Sequence, residues 1–434
     1  MSCAAATLAK AKPIILSTIL PEPKTIQNHP NIAGVASTDA LIVGGGPAGL
    51  AAAIALRLRG IDCTVVEARA PAIDKACGEG LMPDSQAVLA SLGVMLNETD
   101  GQPFRGIRFA NTSHAVEAGF PAGQGLGVRR PHLHRLLAAR AEALGARLLW
   151  ESHVRLATSA LGGNDGRVAN INDRPIRYRW LIGADGQAST VRRWAGLDRA
   201  RKQSLRYGFR THYRVDTGSF DMVEIHWGRG GQLYLTPVAP DCVCVVYLSR
   251  DPHIGKKDVL AEFPEIARRL AGSKGLEVVS QQRGAVSATC RLHRVATDHV
   301  ALVGDASGSA DSITGEGLAV SFRQGLALAD AIAAGSLTGY ERAHREIARL
   351  PHAMGSLMLT LDRWPRFEAH AMRALAACPD LFRGLLDAHV GARSLTGVLL
   401  RRGPRLLWNL LAASVSSVPV VSAPTQFVSD MSAT

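Results

Sequence analysis

The feature that most constrains this chain is a glycine-rich turn set between an apolar run and an alanine-rich stretch. Ala40-Leu41-Ile42-Val43 runs straight into Gly44-Gly45-Gly46-Pro47-Ala48-Gly49, and an Ala/Leu/Ile-rich segment continues to Arg59. A short apolar run ending in glycines reads as a buried strand, and the segment after it reads as a helix. Gly60 closes that helix and Cys63-Thr64-Val65-Val66-Glu67 supplies the next strand, so residues 39–67 spell a βαβ unit. The three fingerprint glycines have separate tasks. Gly44 permits the tight turn, Gly46 admits a diphosphate against the backbone, and Gly49 lets the helix pack closely on the sheet. Pro47 and Ala48 open a helix whose free N–H groups and partial positive charge suit phosphate oxygens. Glu67 follows Gly49 by eighteen residues and ends the second strand. Its carboxylate can accept from ribose hydroxyls there, and Arg69 can reach the same nucleotide. An acid in that place repels a 2′-phosphate, so the turn suits FAD or NAD rather than NADP.

The rest of the chain extends this start into an α/β fold. Residues 1–38 hold no lasting period and read as a flexible extension. Residues 39–204 read as the first part of a Rossmann-type, three-layer nucleotide domain with minor excursions into a second domain. Helices are expected over 84–93 and 131–144, and strands over 148–154 and 178–182. Residues 205–290 change texture and predict an inserted, mainly antiparallel substrate sheet, with strands at 222–227, 231–237 and 242–248. Residues 291–340 return to the nucleotide domain through Val300-Ala301-Leu302-Val303 and a helix over 317–334. Residues 341–434 read as a helical region broken at Pro351, Pro365, Pro379 and Pro404.

The formal charge of +12 raises nucleic acid as a partner. The basic residues are scattered among acids and never alternate with aromatics, so that partner is not expected. The charge suits anionic cofactors or a membrane surface instead. Seven cysteines, odd in number and widely spread, predict neither structural disulfides nor a metal site. Cys242-x-Cys244 reads as pointing to opposite faces of one strand, a poor metal pair. A reducing, cytoplasmic setting follows. The apolar run 14–20 lies between Pro13 and Pro21 and does not read as a secretory leader. Residues 406–429 carry no charge, but Asn409, five serines and two prolines favour a buried or surface-lying segment over a span. Arg401, Arg402 and Arg405 precede Leu406-Leu407-Trp408 and allow peripheral contact with an anionic membrane; packing on the nucleotide domain or a second subunit is the alternative. The oligomeric state is left open.

Two later segments resemble the remaining motifs of the class A flavoprotein monooxygenases. Leu181-Ile182-Gly183-Ala184-Asp185-Gly186-Gln187-Ala188-Ser189-Thr190-Val191-Arg192 is similar to their second motif. Val303-Gly304-Asp305-Ala306-Ser307-Gly308, followed by Thr314-Gly315-Glu316-Gly317-Leu318, is similar to their third. Within that superfamily, Lys75-Ala76-Cys77-Gly78-Glu79-Gly80-Leu81 and the Thr-Gly-Glu-Gly run look most like the geranylgeranyl-reductase branch. The resemblance covers residues 39–340 and implies non-covalent FAD beside a sheet that covers one side of the flavin. It implies that Asp305, after Gly304, hydrogen-bonds a ribityl hydroxyl, and that Arg130 reaches the FAD phosphate or ribose. Gly315, Glu316, Gly317 and Leu318 would present helix-start N–H groups to the N1/O2 edge of the ring, where reduction places negative charge. Asp185 either touches the cofactor or holds loops by accepting backbone N–H bonds. Ser312 stands where the family often has proline, which alters the loop beside the flavin.

The chemistry on the flavin is less constrained. The leading reading is a monooxygenase that uses NADH or NADPH and O2 on an apolar aromatic, polyketide-like or isoprenoid small molecule. The close rival is an FAD-dependent reductase of carbon–carbon double bonds, as in the geranylgeranyl-reductase branch. A halogenase is weighed because of the Gly-Glu loop, but Gln232-Leu233-Tyr234-Leu235-Thr236-Pro237 lacks both tryptophans of the halogenase segment; a flavoprotein without turnover is a further alternative. Cys77 and Glu79 are the candidate catalytic residues. The thiol could donate a proton or be an inert small side chain, and Glu79 could serve substrate or flavin or simply bond its loop. Glu316 could face solvent. Tyr207, Phe209, Tyr213, Trp227 and Tyr234 could line a pocket for a flat or lipid-like molecule. His212 and His226 are acid–base candidates where they face it.

Overall fold

The computed structural model describes residues 35–157, 167–216, 218–254, 258–273, 275–398 and 400. The nucleotide turn belongs to a seven-stranded sheet of order Arg147–Leu149, Cys63–Val66, Ala36–Val43, Arg174–Gly183, Arg167–Ile171, Val154–Leu156, with Val300–Leu302 also paired to Arg174–Gly183. The ten-residue strand Arg174–Gly183 holds antiparallel Arg167–Ile171 on its first half and parallel Val300–Leu302 on its second. Register aligns Val43 with Val66 and Gly183, and Gly183 with Leu302. The parallel strands therefore end together, and the turns starting at Gly44, Glu67, Ala184 and Val303 all open at one edge, the place where open α/β sheets bind ligands.

Helix Pro47–Arg57 follows the turn with proline in its first turn, and its apolar residues are almost all buried. Helix Gly317–Ala333 lies against it so closely that a Cβ on Gly325 would be 3.0 Å from the Ala52 nitrogen. Small residues on both helices set that spacing.

The second sheet has eight strands in the order Glu277–Val278, Ala200–Arg214, Cys242–Ser249, Gly231–Ala239, Val223–Trp227, Gly106–Ala110, Ala115–Gly119, with Arg283–Leu292 also on Ala200–Arg214. It is antiparallel except where Val223–Trp227 pairs in parallel with Gly106–Ala110. Its main strands run from Ala200 to Leu292 rather than 205 to 290, and it recruits two strands from 106–119. Cys242–Ser249 is buried along its whole length. Cys242, Cys244, Val246 and Leu248 pack towards the C-terminal helices, while Val243, Val245 and Tyr247 join a separate core with helix Pro264–Ala271. The two cysteines thus share a face, which overturns the opposite-face expectation: side chains two apart on a strand point the same way.

Two further expectations are corrected. The segment 148–154 is not one strand, because Arg147–Leu149 pairs with Cys63–Val66 whereas Val154–Leu156 pairs with Arg167–Ile171. Glu151, at φ +52°, turns the chain between them. Pro351 does not break its helix but lies buried inside Thr338–Arg363, whose Met354, Gly355 and Met358 are also buried. Packing of that face offsets the one lost backbone bond. Pro365 and Pro379 instead begin the helices Pro365–Ala377 and Pro379–His389. The extension 1–34, Pro404, Arg401, Arg402, Arg405 and the segment 406–429 lie outside the described residues. Among the described residues no helix is long and apolar enough to cross a membrane.

Candidate active site

The turns at the sheet edge face the second sheet across one cavity of about 1600 Å³. That exceeds the roughly 300–1,000 Å³ of ordinary ligand pockets and leaves room for two molecules. Gly44 has φ +110°, and a Cβ there would stand 2.4 Å from the Ala184 carbonyl oxygen. A Cβ on Gly49 would stand 1.9 Å from the Gly44 oxygen, so both positions exclude any side chain. Gly46 differs: nothing lies within 4 Å of its Cβ direction and it lines the cavity. Glu67 accepts the Gly45 N–H at 2.8 Å and the Arg69 N–H at 3.0 Å, which ties the turn to the second strand. Pro47, Ala48 and the exposed Arg69 border the same space.

From the opposite side, Gly304, at φ +60°, donates its N–H to the Gln324 side chain at 2.7 Å. Asp305 lies 3.4 Å from Lys75, both about half exposed at the cavity wall. The turn Ser312–Thr314 ends in left-handed Gly315, and helix Gly317–Ala333 begins at the cavity beside Leu318. No atom lies within 4 Å of a Cβ built on Gly315 or Gly317. Asp185 bonds its own loop, since its Oδ2 accepts from Thr190 N, Thr190 Oγ1 and Val191 N at 2.7, 2.8 and 3.1 Å. Its Oδ1 is buried with no hydrogen-bond partner among the described residues, as is Arg130 Nε. An open glycine face, an unpartnered guanidinium nitrogen and a carboxyl beside a lysine match what the diphosphate and polyol of an extended dinucleotide need.

Cys77 and Glu79 are brought together but play different parts. Cys77 is half-buried on the cavity wall, its Sγ accepting the Glu79 N–H at 3.4 Å with Arg130 Nη1 4.0 Å away. Glu79 is 2% exposed at φ +60°. Its Oε1 accepts the Arg130 N–H at 2.9 Å, and its Oε2 takes His212 Nε2 at 2.7 Å. Arg210 Nη1 donates to His212 Nδ1 at 3.0 Å, and Ser280 Oγ is 2.7 Å from the same nitrogen, so Nε2 carries the hydrogen towards Glu79. Glu79 is thus a buried clasp that fixes the Cys77 loop, a loop-bonding arrangement rather than a free acid. Cys244 lies beside it, its thiol pushed well above the ordinary range by burial and then by Glu79 and Cys77. The ligand atoms of Glu79, His212 and Cys244 lie within 4.8 Å of one another. A metal there would have to break the His212–Glu79 bond beside the Arg210 cation.

Of the five aromatics expected to line a pocket, only Tyr234 reaches this cavity, its hydroxyl donating to the Ile313 carbonyl at 3.1 Å. Phe209 and Tyr213 pack into the separate core behind the sheet, and Trp227 meets Phe109 edge-on. The apolar wall is made by Phe104, Ile107, Val223, Ile225, Val246 and Leu248. Phe104 was not foreseen; its ring fills the place a Gly125 side chain would take, 2.2 Å from that Cβ. His226 bonds Glu224 at 2.8 Å away from the cavity. Burial pushes that carboxyl up, but Arg269 and His226 outweigh it and hold Glu224 near 2. Glu316 is 2% exposed and turned inward rather than to solvent.

The chain matches the FAD binding domain family over residues 37–345. It is 26% identical over 402 residues to the dialkyldecalin synthase of Streptomyces rugosporus, covering 89% of this chain and 83% of that one. It is 28% identical over 403 residues to the digeranylgeranylglycerophospholipid reductase of Methanothrix thermoacetophila, covering 86% and 98%. A flavoprotein/dehydrogenase from Cytophaga hutchinsonii shares the fold with a TM-score of 0.73 at 18% identity, over 88% of this chain and 99% of its own. With the glycine turn, the opposed helix start and the family match in agreement, the chain belongs to the FAD binding domain family and is an FAD-dependent oxidoreductase.

Proposed function

We propose that the protein reduces a carbon–carbon double bond in an apolar, isoprenoid-like small molecule, with NADH or NADPH as the electron source. The observation that carries this reading is the single cavity, which joins the open faces of Gly46, Gly315 and Gly317 to an apolar wall bearing the Cys77 thiol. FAD, when bound, supplies a two-electron hydride. The chain must then hold the cofactor, orient the alkene, keep water out and provide a proton. The Gly44–Gly49 turn and Arg130 would hold the diphosphate, Glu67 with Arg69 the adenosine ribose, and Asp305 the polyol after releasing Lys75. The backbone N–H groups of Gly315 to Leu318 would face the ring edge, and the Asp185 Oδ1 is available to the same cofactor. Phe104, Ile225 and Leu248 would orient an apolar chain by burial alone.

The reductase relative is matched over 98% of its length, which supports reduction over the oxygenation that is the leading reading of the sequence. The two reactions differ in product mass. Reduced holoprotein mixed with geranylgeraniol without O2 should yield a product heavier by two hydrogens. A product heavier by one oxygen, formed only in air, would replace this reading with monooxygenation.

A further inference from the structure

Glu316 has a setting that no cofactor-holding role explains. It immediately precedes helix Gly317–Ala333 and lines the cavity. A carboxyl at a helix start ordinarily folds back to accept a first-turn N–H. Glu316 makes no such cap. It points instead at His389, the last residue of helix Pro379–His389, with Oε2 3.7 Å from Nδ1. Both atoms are buried and neither has a hydrogen-bond partner among the described residues. The remaining charged groups facing the pair are Asp84, from helix Pro83–Ser91, and Arg323, from the helix Glu316 begins. Arg323 donates to Asp84 Oδ2 at 2.5 Å, while Asp84 Oδ1 is a third buried polar atom without a partner among the described residues. Buried polar atoms are rarely left unpaired, and three in one cluster beside a cavity call for a function. Glu79, in contrast, has both oxygens occupied.

We propose that Glu316, oriented by His389, is the acid that delivers the proton to the alkene, in place of Glu79. The inference rests on the reductase reading. Hydride adds to one carbon of the double bond; at the other, a C–H bond forms as the Glu316 O–H bond breaks, leaving a Glu316 carboxylate. NADH or NADPH supplies the two electrons, and water admitted on product release returns the proton.

The surroundings fit an acid that holds its proton until used. The Thr314 backbone also acts on the His389 ring, and with the ring hydrogen on the nitrogen other than Nδ1, the Nδ1 lone pair faces Glu316 as an acceptor for an O–H. Burial first, and Asp84 second, push Glu316 up to about 8 against the pull of Arg323. Burial lowers His389, with Asp84 and the Thr314 bond opposing. At neutral pH the pair is therefore a neutral acid facing a neutral imidazole, not an ion pair. A carboxylate left there would face a lone pair and Asp84, which drives it to take a proton back.

The test uses FAD-loaded protein, native and Glu316→Gln, with geranylgeraniol as the probe. Infrared spectra should show a protonated carboxyl band at neutral pH that disappears in Glu316→Gln and titrates near the value above. His389→Gln should shift that titration. Anaerobic reduction of geranylgeraniol should slow about 100-fold or more in Glu316→Gln, as loss of a general acid does. FAD content and flavin reduction by dithionite should stay as in the native protein. A native-like rate in Glu316→Gln, or no such band in native protein, would overturn the role of Glu316. Failure of native protein itself to turn over would count against the reductase reading instead.

Discussion

Replacing Glu316 by Gln should stabilise the fold at neutral pH, by an amount that depends on pH. Folding moves this carboxyl from 4.5 to about 8. Because the folded-state value is raised, its contribution is fully present below the unfolded value and is lost as pH rises through the folded one. At about 1.4 kcal/mol per pH unit, the whole displacement is worth about 5 kcal/mol, an upper bound. The part lost between pH 5 and pH 8 is about 3 kcal/mol. Gln keeps the shape, stays neutral throughout, and its amide can donate to the free His389 Nδ1. Urea unfolding of both proteins at pH 5, 6, 7 and 8 measures the difference. The gap in favour of Glu316→Gln should be small at pH 5 and widen steadily towards pH 8. A gap that does not change with pH would refute both the burial argument and the neutral-acid assignment.

Three other substitutions probe the rest of the site. Gly46→Val should fold normally, since nothing lies within 4 Å of its Cβ direction, yet purify without FAD absorbance because the side chain occupies the diphosphate space. His212→Ala should leave Glu79 Oε2 buried without its 2.7 Å partner and lower unfolding stability by about 1–3 kcal/mol, read by urea melts. Asp305→Ala should weaken FAD binding by about tenfold or more, measured by titrating apoprotein, since a charge-assisted bond to a hydroxyl is lost.

The nucleotide half of the fold was legible because its signals are local. Gly44, Gly46, Gly49 and Glu67 sit within one βαβ unit, and Glu67 does reach back to the turn, through Gly45 N. What was missed depends on contacts between distant segments. Glu79 and His212 are 133 positions apart, and only the pairing of the second sheet brings them together. Glu316 and His389 meet because helix Pro379–His389 folds back onto the third motif, a packing with no trace in either segment alone. The strands Gly106–Ala110 and Ala115–Gly119 are too short to show a firm period, so Phe104 beside them gave no warning of its place in the wall. Pro351 misled for the opposite reason, since a strong local rule was overridden by burial of its helix face.

The most direct check follows the bound flavin itself. Holoprotein reduced without O2 is mixed with geranylgeraniol while the visible absorbance of the flavin is recorded. The oxidised spectrum should return in step with formation of the saturated product. A flavin that stays reduced until O2 is admitted would contradict the reductase reading.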